Sequence, residues 1–353
     1  MARSATRRPQ TDNPASRFDK LIYDSSDEFA QPDSGNEART APAEFYRDPS
    51  RRAVAWNESP DLPFRASLNP YRGCVHACSY CYARPSHEYL GFSAGRDFER
   101  KILVKEDLPA VLRSELCAPG WQPQVVSIGG ITDPYQPIEH KTRLTRRCLE
   151  VFAELRNPVS VVTKGTLIRR DLDLLRELAS RDLVHVYLSI TSLDRDVQRN
   201  LEPFAAAPSQ RIATVETLAD ADIPVGVLVA PVIPGLTDHE APRIVEAAAR
   251  AGARTVRYVM LKLPHGVKKL FERWLEHHYP DRHKKVMNRV RAVRGGRLND
   301  PRYHVRQRGT GCFADQTQAL VTLACRRAGL DAELPPLATH HFQRPGGEQL
   351  SLL

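Results

Sequence analysis

The sequence predicts an α/β fold: a partial (β/α)6 TIM-like barrel with a helical, basic C-terminal extension and a disordered N-terminus. Three observations predict it. Short β-branched runs recur from Val125 to Met260, with amphipathic helix-length stretches between them. The alternation stops after Leu263, where helical patterns rich in Lys and Arg take over. Residues 1–45 are dominated by Ser, Asp, Pro, Gln and Arg, too little apolar surface to offset the entropy of ordering.

In chain order, residues 46–66 form a docking segment in which Trp56 and Phe64 can seat on a core. Residues 67–263 form the barrel. Its strand candidates are Val125–Ile128, Val159–Thr163, Val184–Ile190, Val225–Val229 and Thr255–Met260, short apolar runs of the kind buried parallel strands need. Helical patterns cover Leu108–Leu116, Leu144–Leu155, Asp171–Ala179, Ser209–Ala221 and His239–Ala251. Asp171 is placed to cap the helix after it, and Gly252 stands just past the end of another. Strands separated by single helices make βαβ units and a parallel sheet. A sixth strand comes from the stretch ahead of the first cysteines or from Lys101–Val104. Six units fall short of the eight of a closed barrel. In the extension, residues 264–340, Gly266–Val293 is helical and broken at Pro280, Gly295–Pro301 is a loop and Tyr303–Arg306 is extended. Ala314–Ala328 is a helix ended by Gly329, and residues 341–353 are a loose tail.

The 353 residues, 41% of them hydrophobic, suffice for one large α/β domain with appendages or for two smaller ones. No apolar run approaches the roughly 18 residues of a membrane-spanning helix. The polar, basic start has no apolar signal region, so a cytoplasmic location is expected. The formal charge of +9 suits a polyanionic partner and equally an Arg-rich solvated surface. Seven cysteines, an odd number with no secretion signal, argue against a disulfide framework.

Three of those cysteines crowd into Asn69-Pro-Tyr-Arg-Gly-Cys74-Val-His-Ala-Cys78-Ser-Tyr-Cys81-Tyr-Ala-Arg84. The spacing is C-x3-C-x2-C with an aromatic directly before the third Cys. Three thiolates can hold three irons of a [4Fe–4S] cubane and leave the fourth open to a chelating ligand. A structural zinc site instead takes four ligands, commonly in paired C-x2-C units, and no second pair follows here.

On this motif the chain resembles the radical S-adenosylmethionine (SAM) superfamily over residues 67–263, and more weakly to about 328. Within it the chain is similar to the spore-photolyase-like branch and to uncharacterised bacterial proteins labelled DNA repair photolyase. The resemblance implies that S-adenosyl-L-methionine binds the open iron through its amino and carboxylate groups. Electron transfer, from a donor such as flavodoxin or ferredoxin, then cleaves a C–S bond to yield a 5′-deoxyadenosyl radical. It also implies a lyase-like activity and a role in DNA repair.

Gly129-Gly130-Ile131-Thr132-Asp133 follows the first clear strand, and paired glycines let backbone approach a ligand. By the resemblance Thr132 and Asp133 are SAM contacts; the residues alone also fit a turn with Asp133 as a cap. Lys164 ends the next strand, placed to clamp a carboxylate or to sit at a loop surface. Ser189 and Thr191 end the third, where barrel enzymes carry chemistry, and are ligands to SAM or buried hydroxyls bonded to backbone. Tyr80 and Tyr82 flank Cys81, and the resemblance gives them a part in radical relay or cluster packing. Spore photolyase has a hydrogen-donating Cys where this chain has Gly130, which leaves Cys312 as a substitute thiol. Cys312 follows Arg308-Gly-Thr-Gly311 at a helix start, a setting that lowers thiol pKa values; a small Cys in a tight turn fits as well.

From Arg254 to Arg308 sixteen Lys and Arg face four acids, with Trp274, Tyr279 and Tyr303 interleaved. Cations neutralise phosphates and aromatics stack on bases, so this region suits a DNA or RNA substrate, and equally a solvated helix pair. The expected function is hydrogen abstraction from nucleic acid for repair or modification. The alternatives are a radical SAM enzyme of a small molecule or protein, and a non-enzymatic Fe–S nucleic-acid-binding protein.

Overall fold

The computed structural model describes residues 43–330 and 333–345. Among the described residues there are ten strands: β1 Glu44–Arg47, β2 Val54–Trp56, β3 Ala66–Leu68, β4 Tyr71–Arg72, β5 Lys101–Val104, β6 Val126–Ile128, β7 Val159–Thr163, β8 Val184–Ser189, β9 Val225–Val232 and β10 Thr255–Met260. The α-helices are α1 Arg96–Arg100, α2 Leu108–Cys117, α3 Glu139–Thr142, α4 Leu144–Leu155, α5 Leu172–Ala179, α6 Arg195–Leu201, α7 Pro208–Ala219, α8 Ala241–Arg250, α9 Val267–His278, α10 Pro280–Ala292, α11 Val305–Arg308 and α12 Cys312–Ala328.

The main sheet runs β10-β9-β8-β7-β6-β3-β2. Its first six strands are parallel, and β2 adds antiparallel to β3 at one edge. This is the expected six-unit partial barrel, with Ala66–Leu68 as the sixth strand. Lys101–Val104 belongs instead to a second sheet, β1-β5-β4, because Tyr71 and Arg72 pair with it across the cysteine loop. Leu68, Ile128, Val161, Val186, Leu188 and Val227 share one face of the sheet and are fully buried beneath the helices, while Ser67, Ser127, Ser160, His185 and Tyr187 stand on the opposite face.

Several expectations change. Asp171 does not cap α5; its carboxylate takes Tyr135, Arg146 and Arg170 instead. Tyr303–Arg306 is not extended, since Val305–Arg308 closes a helical turn. The disordered segment was expected to reach residue 45, but Glu44 and Phe45 already pair with β5; residues 1–42 lie outside the described residues. The tail is not loose where it is described, because Gln343 donates to the Leu155 carbonyl and Arg344 to the Trp121 carbonyl. Trp56 does not seat in the core: it is 58% exposed and covers Trp121, with ring centroids 5.9 Å apart. Among the described residues no helix is long and apolar enough to cross a membrane.

Candidate active site

Parallel pairing brings the strand C-termini to one rim. In register, Ile128 faces Val161, Thr163 faces Leu188, and Ser189 faces Leu228. The cysteine loop leaves β3 and β4 at this rim. Cys74 and Cys78 are buried and Cys81 is half-buried; all three thiols are free and close enough to feel one another electrostatically.

The loop keeps its shape through its own contacts. Arg84 is fully buried and spends its guanidinium on the Cys78 carbonyl (2.8 and 3.1 Å), the Gly95 carbonyl (2.9 Å) and Glu99 (2.5 Å). Gly73 needs its positive φ of 80°, and a Cβ there would lie 2.9 Å from both Ile102 and the Phe98 carbonyl. Several bonds join this loop to Gly129–Glu139, among them Thr132 donating to the Gly73 carbonyl (2.7 Å), the Val75 amide to Gln136 (3.1 Å), and the Ile131 amide to Asn69 (3.0 Å).

Those contacts show how the residues expected to meet SAM are held. Thr132 is committed to the cysteine loop. Asp133 accepts from Thr163 (2.6 Å), from the Tyr135 amide (2.9 Å) and from the Lys164 amide (2.7 Å), with His76 Nδ1 at 3.4 Å. Burial alone would push its carboxyl up; His76, Thr163 and the Lys164 amide hold it well below the usual carboxylate range. Thr132 and Asp133 therefore shape the rim from inside it. Ser189 donates to the Ala230 carbonyl (3.0 Å), and Thr191 meets both that carbonyl (3.0 Å) and Glu202 (2.7 Å). The half-buried ammonium of Lys164 lies 3.1 Å from Ser189 Oγ and 6.0 Å from the centre of the Tyr80 ring, turned toward Cys78 and Cys81.

Beneath Tyr80 lies a buried charge cluster for which the sequence carries no signal. Glu202 accepts from the Tyr80 hydroxyl, from Thr191 and from Arg211, whose guanidinium also reaches the Ser189 carbonyl at 2.9 Å. Burial would raise the Glu202 carboxyl, but Arg211 and Lys164, with the bonds from Tyr80 and Thr191, bring it down to about 2. Tyr82 is turned the other way. It is 47% exposed, donates to the Gly130 carbonyl, and carries the Lys262 ammonium 4.4 Å above its ring.

Cys312 is exposed at the start of α12, which packs on α8 and β10, and none of the contacts described at the rim involves it. Cys148 and Cys325 are buried core residues and Cys117 is half-buried against the core.

The paired glycines separate cleanly. Gly129 has φ +98°, and a Cβ there would fall 2.3 Å from the Val162 carbonyl; around Gly130 nothing lies within 4 Å. Gly129→Ala is expected to cost about 2–4 kcal/mol in chemical denaturation, and Gly130→Ala less than about 0.5 kcal/mol. Equal effects would show that the pair does not act as this backbone geometry requires.

The donor set suits an iron–sulfur cubane: three free thiols on one loop, with Lys164 and Arg84 beside them. Residues 68–248 match the model of the radical SAM superfamily. An uncharacterized protein of Mycobacterium tuberculosis is 40% identical over 222 residues, 62% of this chain and 65% of that one. The match thus spans just under two thirds of that relative's length. An uncharacterized protein of Methanocaldococcus jannaschii is 28% identical over 223 residues, 63% of this chain and 80% of that one. Spore photoproduct lyase complexed with dinucleoside spore photoproduct is similar in fold, with TM-score 0.58 and 18% identity over 82% of this chain and 80% of that one. A mutant of that lyase with bound AdoMet and the dinucleoside gives TM-score 0.51 at 18% identity, over 67% and 66%. The cysteine loop on a six-stranded parallel rim and the match over half its length place this chain in the radical SAM superfamily, whose cofactors are a [4Fe–4S] cluster and S-adenosylmethionine.

Proposed function

We propose that the protein is a radical SAM enzyme acting on nucleic acid, with Cys74, Cys78 and Cys81 holding the cluster. The observation that carries this reading is the convergence of three free thiols at the C-terminal rim of the parallel strands, beside the cationic Lys164. Cys74, Cys78 and Cys81 would hold the cluster, which together with SAM would supply one-electron reductive chemistry, the electron coming from a donor such as flavodoxin or ferredoxin. The chain's own residues bind and orient. Gly129 and Gly130 let backbone close on SAM, and Lys164, backed by Ser189, meets its carboxylate. Tyr80 is locked by Glu202, while Tyr82 faces the open side toward substrate. With Gly130 at the position where the related lyases carry a cysteine, and Cys312 exposed on α12, the reaction proceeds without an in-line thiol at that point.

A nucleic-acid substrate is supported by the α9–α10 pair, where Lys269, Arg273, Lys284 and Lys285 are exposed and Lys268 is half-buried. The aromatic part of that reading changes. Trp274 is 2% exposed and Tyr279 half-buried, with its hydroxyl on Asn200, so neither offers a face to a base. Tyr303, 52% exposed, does. Changing Lys268, Lys269, Lys284 and Lys285 together to Gln is expected to flatten the salt dependence of single-stranded oligonucleotide binding, by about 0.7 in log–log slope per lost contact. An unchanged slope would move the binding face elsewhere. The activity itself is tested by anaerobic reconstitution and a search for deuterium transferred from labelled DNA or RNA into 5′-deoxyadenosine.

A further inference from the structure

Lys262, in the turn after β10, is a cation without a carboxylate. Among the described residues its ammonium has no acidic oxygen within ion-pair distance; it lies 3.3 Å from Gln307 Oε1 and 4.4 Å over the Tyr82 ring. Its cationic neighbours are already spoken for. Arg306 is held by Asp61, whose side chain is only 2% exposed. Arg294 is fully buried and donates to the carbonyls of Met260 (3.1 Å), Leu261 (2.6 Å) and Val305 (2.9 Å). Asp300, the other acid in this region, is taken by Arg302 at 2.6 Å. A half-buried ammonium among guanidiniums is costly unless an anion arrives to share it.

The position gives that anion a purpose. Tyr82 adjoins Cys81 and donates to the Gly130 carbonyl, so Lys262 overlooks the open side of the cysteine loop rather than the protein interior. Beyond Arg306, the Tyr303 ring stacks on the guanidinium at 4.9 Å and remains half exposed. A charge for a phosphate and a platform for a base thus both neighbour Arg306.

We infer that Lys262, supported by Tyr82 and Gln307, is a substrate subsite that takes one phosphodiester of a single-stranded nucleic acid next to the reacting nucleotide. This rests on the nucleic-acid reading above and adds to it a specific anchor outside the α9–α10 face. Burial pulls the Lys262 ammonium down to about 8, Arg306 and Arg294 push the same way, and Asp61 opposes them. Its charge is therefore present below about pH 8 and lost above, so the anchor weakens as pH rises through that value.

The test uses the full-length reconstituted protein with SAM and measures binding of single-stranded oligodeoxythymidylate, and of oligouridylate in a second arm, against salt and pH. Lys262→Gln is expected to weaken binding about tenfold at low salt and to reduce the log–log salt slope by about 0.7. Lys262→Arg is expected to keep binding at pH 7 and, unlike the natural chain, to keep it at pH 9, because guanidinium does not titrate there. The better-bound arm identifies the source of the phosphodiester. A Lys262→Gln slope equal to that of the natural chain overturns the subsite alone and leaves the α9–α10 face standing. Weakened SAM affinity with intact oligonucleotide binding assigns the lysine to the cofactor and likewise overturns it. Failure of the natural chain to bind either oligonucleotide, or preference for oligoglutamate, sinks both the subsite and the nucleic-acid reading.

Discussion

Cys78→Ala is expected to lose the iron–sulfur cluster and all reductive cleavage of SAM while the polypeptide still folds. The two outcomes separate because the loop is held by bonds that do not involve sulfur. The Cys78 carbonyl is clamped by Arg84, whose other contacts reach Gly95 and Glu99. Thr132 and Gln136 pin Gly73 and Val75 from the neighbouring loop. Removing one sulfur leaves those contacts intact but takes away one of the three proposed ligands, and a cubane with two protein thiolates loses an iron site that SAM chemistry needs. Iron and sulfide per chain should fall sharply in anaerobic reconstitution, and 5′-deoxyadenosine formation under strong reductant should drop below detection. Circular dichroism of the unreconstituted protein should match that of the natural chain. A variant that still assembles a full cluster and cleaves SAM would show that Cys78 is not a ligand.

Glu202→Gln carries the largest expected stability effect. Glu202 is fully buried and neutralises Arg211, which is itself 1% exposed. Removing one member of a buried pair strands the other charge in a low-dielectric interior, at about 3–5 kcal/mol. For a domain of this size that corresponds to a fall in melting temperature on the order of 10 °C. Replacing both partners with apolar residues of similar volume should recover most of the loss, because no uncompensated charge remains. The pH dependence has a definite sign. The folded-state carboxyl sits at about 2, below its ordinary value, so its contribution is complete above about pH 4.5 and disappears as pH falls toward 2. Denaturation midpoints from pH 5 down to 3 should fall less steeply in Glu202→Gln than in the natural chain. Equal slopes would mean that Glu202 is not the ionised partner. The same change trades the charged acceptor of the Tyr80 hydroxyl for a weaker neutral one, with Thr191 still 3.2 Å away, so Glu202 acts as a positioning residue and a shift in the cluster's electron paramagnetic resonance should accompany the loss of stability.

Much of the frame was legible in the chain. Val159–Thr163, Leu144–Leu155 and Thr255–Met260 stand where the apolar patterns end them, because strand and helix burial repeats with a local period that sequence displays directly. The three cysteines were legible for the same reason: their spacing lies within one loop. Ala66–Leu68 was less so, since three residues are too few to show alternation, and Lys101–Val104 competed for its place until pairing with Tyr71 and Arg72 assigned it to the smaller sheet.

The site was read less completely than the frame. Thr132, Asp133, Ser189 and Thr191 were identified by position on the rim, and they are on the rim, but their side-chain atoms are spent on Gly73, Thr163, Ala230 and Glu202. Glu202 carried no signal, being a lone carboxylate in a polar stretch. Trp274 read as an interleaved aromatic and proved to be core, stacked on Phe271 at 5.5 Å. Lys262 is one of sixteen cations in the sequence, and only the fold sets it over the Tyr82 ring.

By itself the sequence determined the βα alternation, the three-thiol loop and the positive C-terminal region, since each is a pattern within a short stretch of chain. Only the tertiary structure decided which polar groups face inward, that Glu202 answers Arg211, and that Lys262 remains without an acid. Those outcomes depend on which loops meet across the rim, and the cost of burying a charge is settled by the partners that folding brings within a few ångströms.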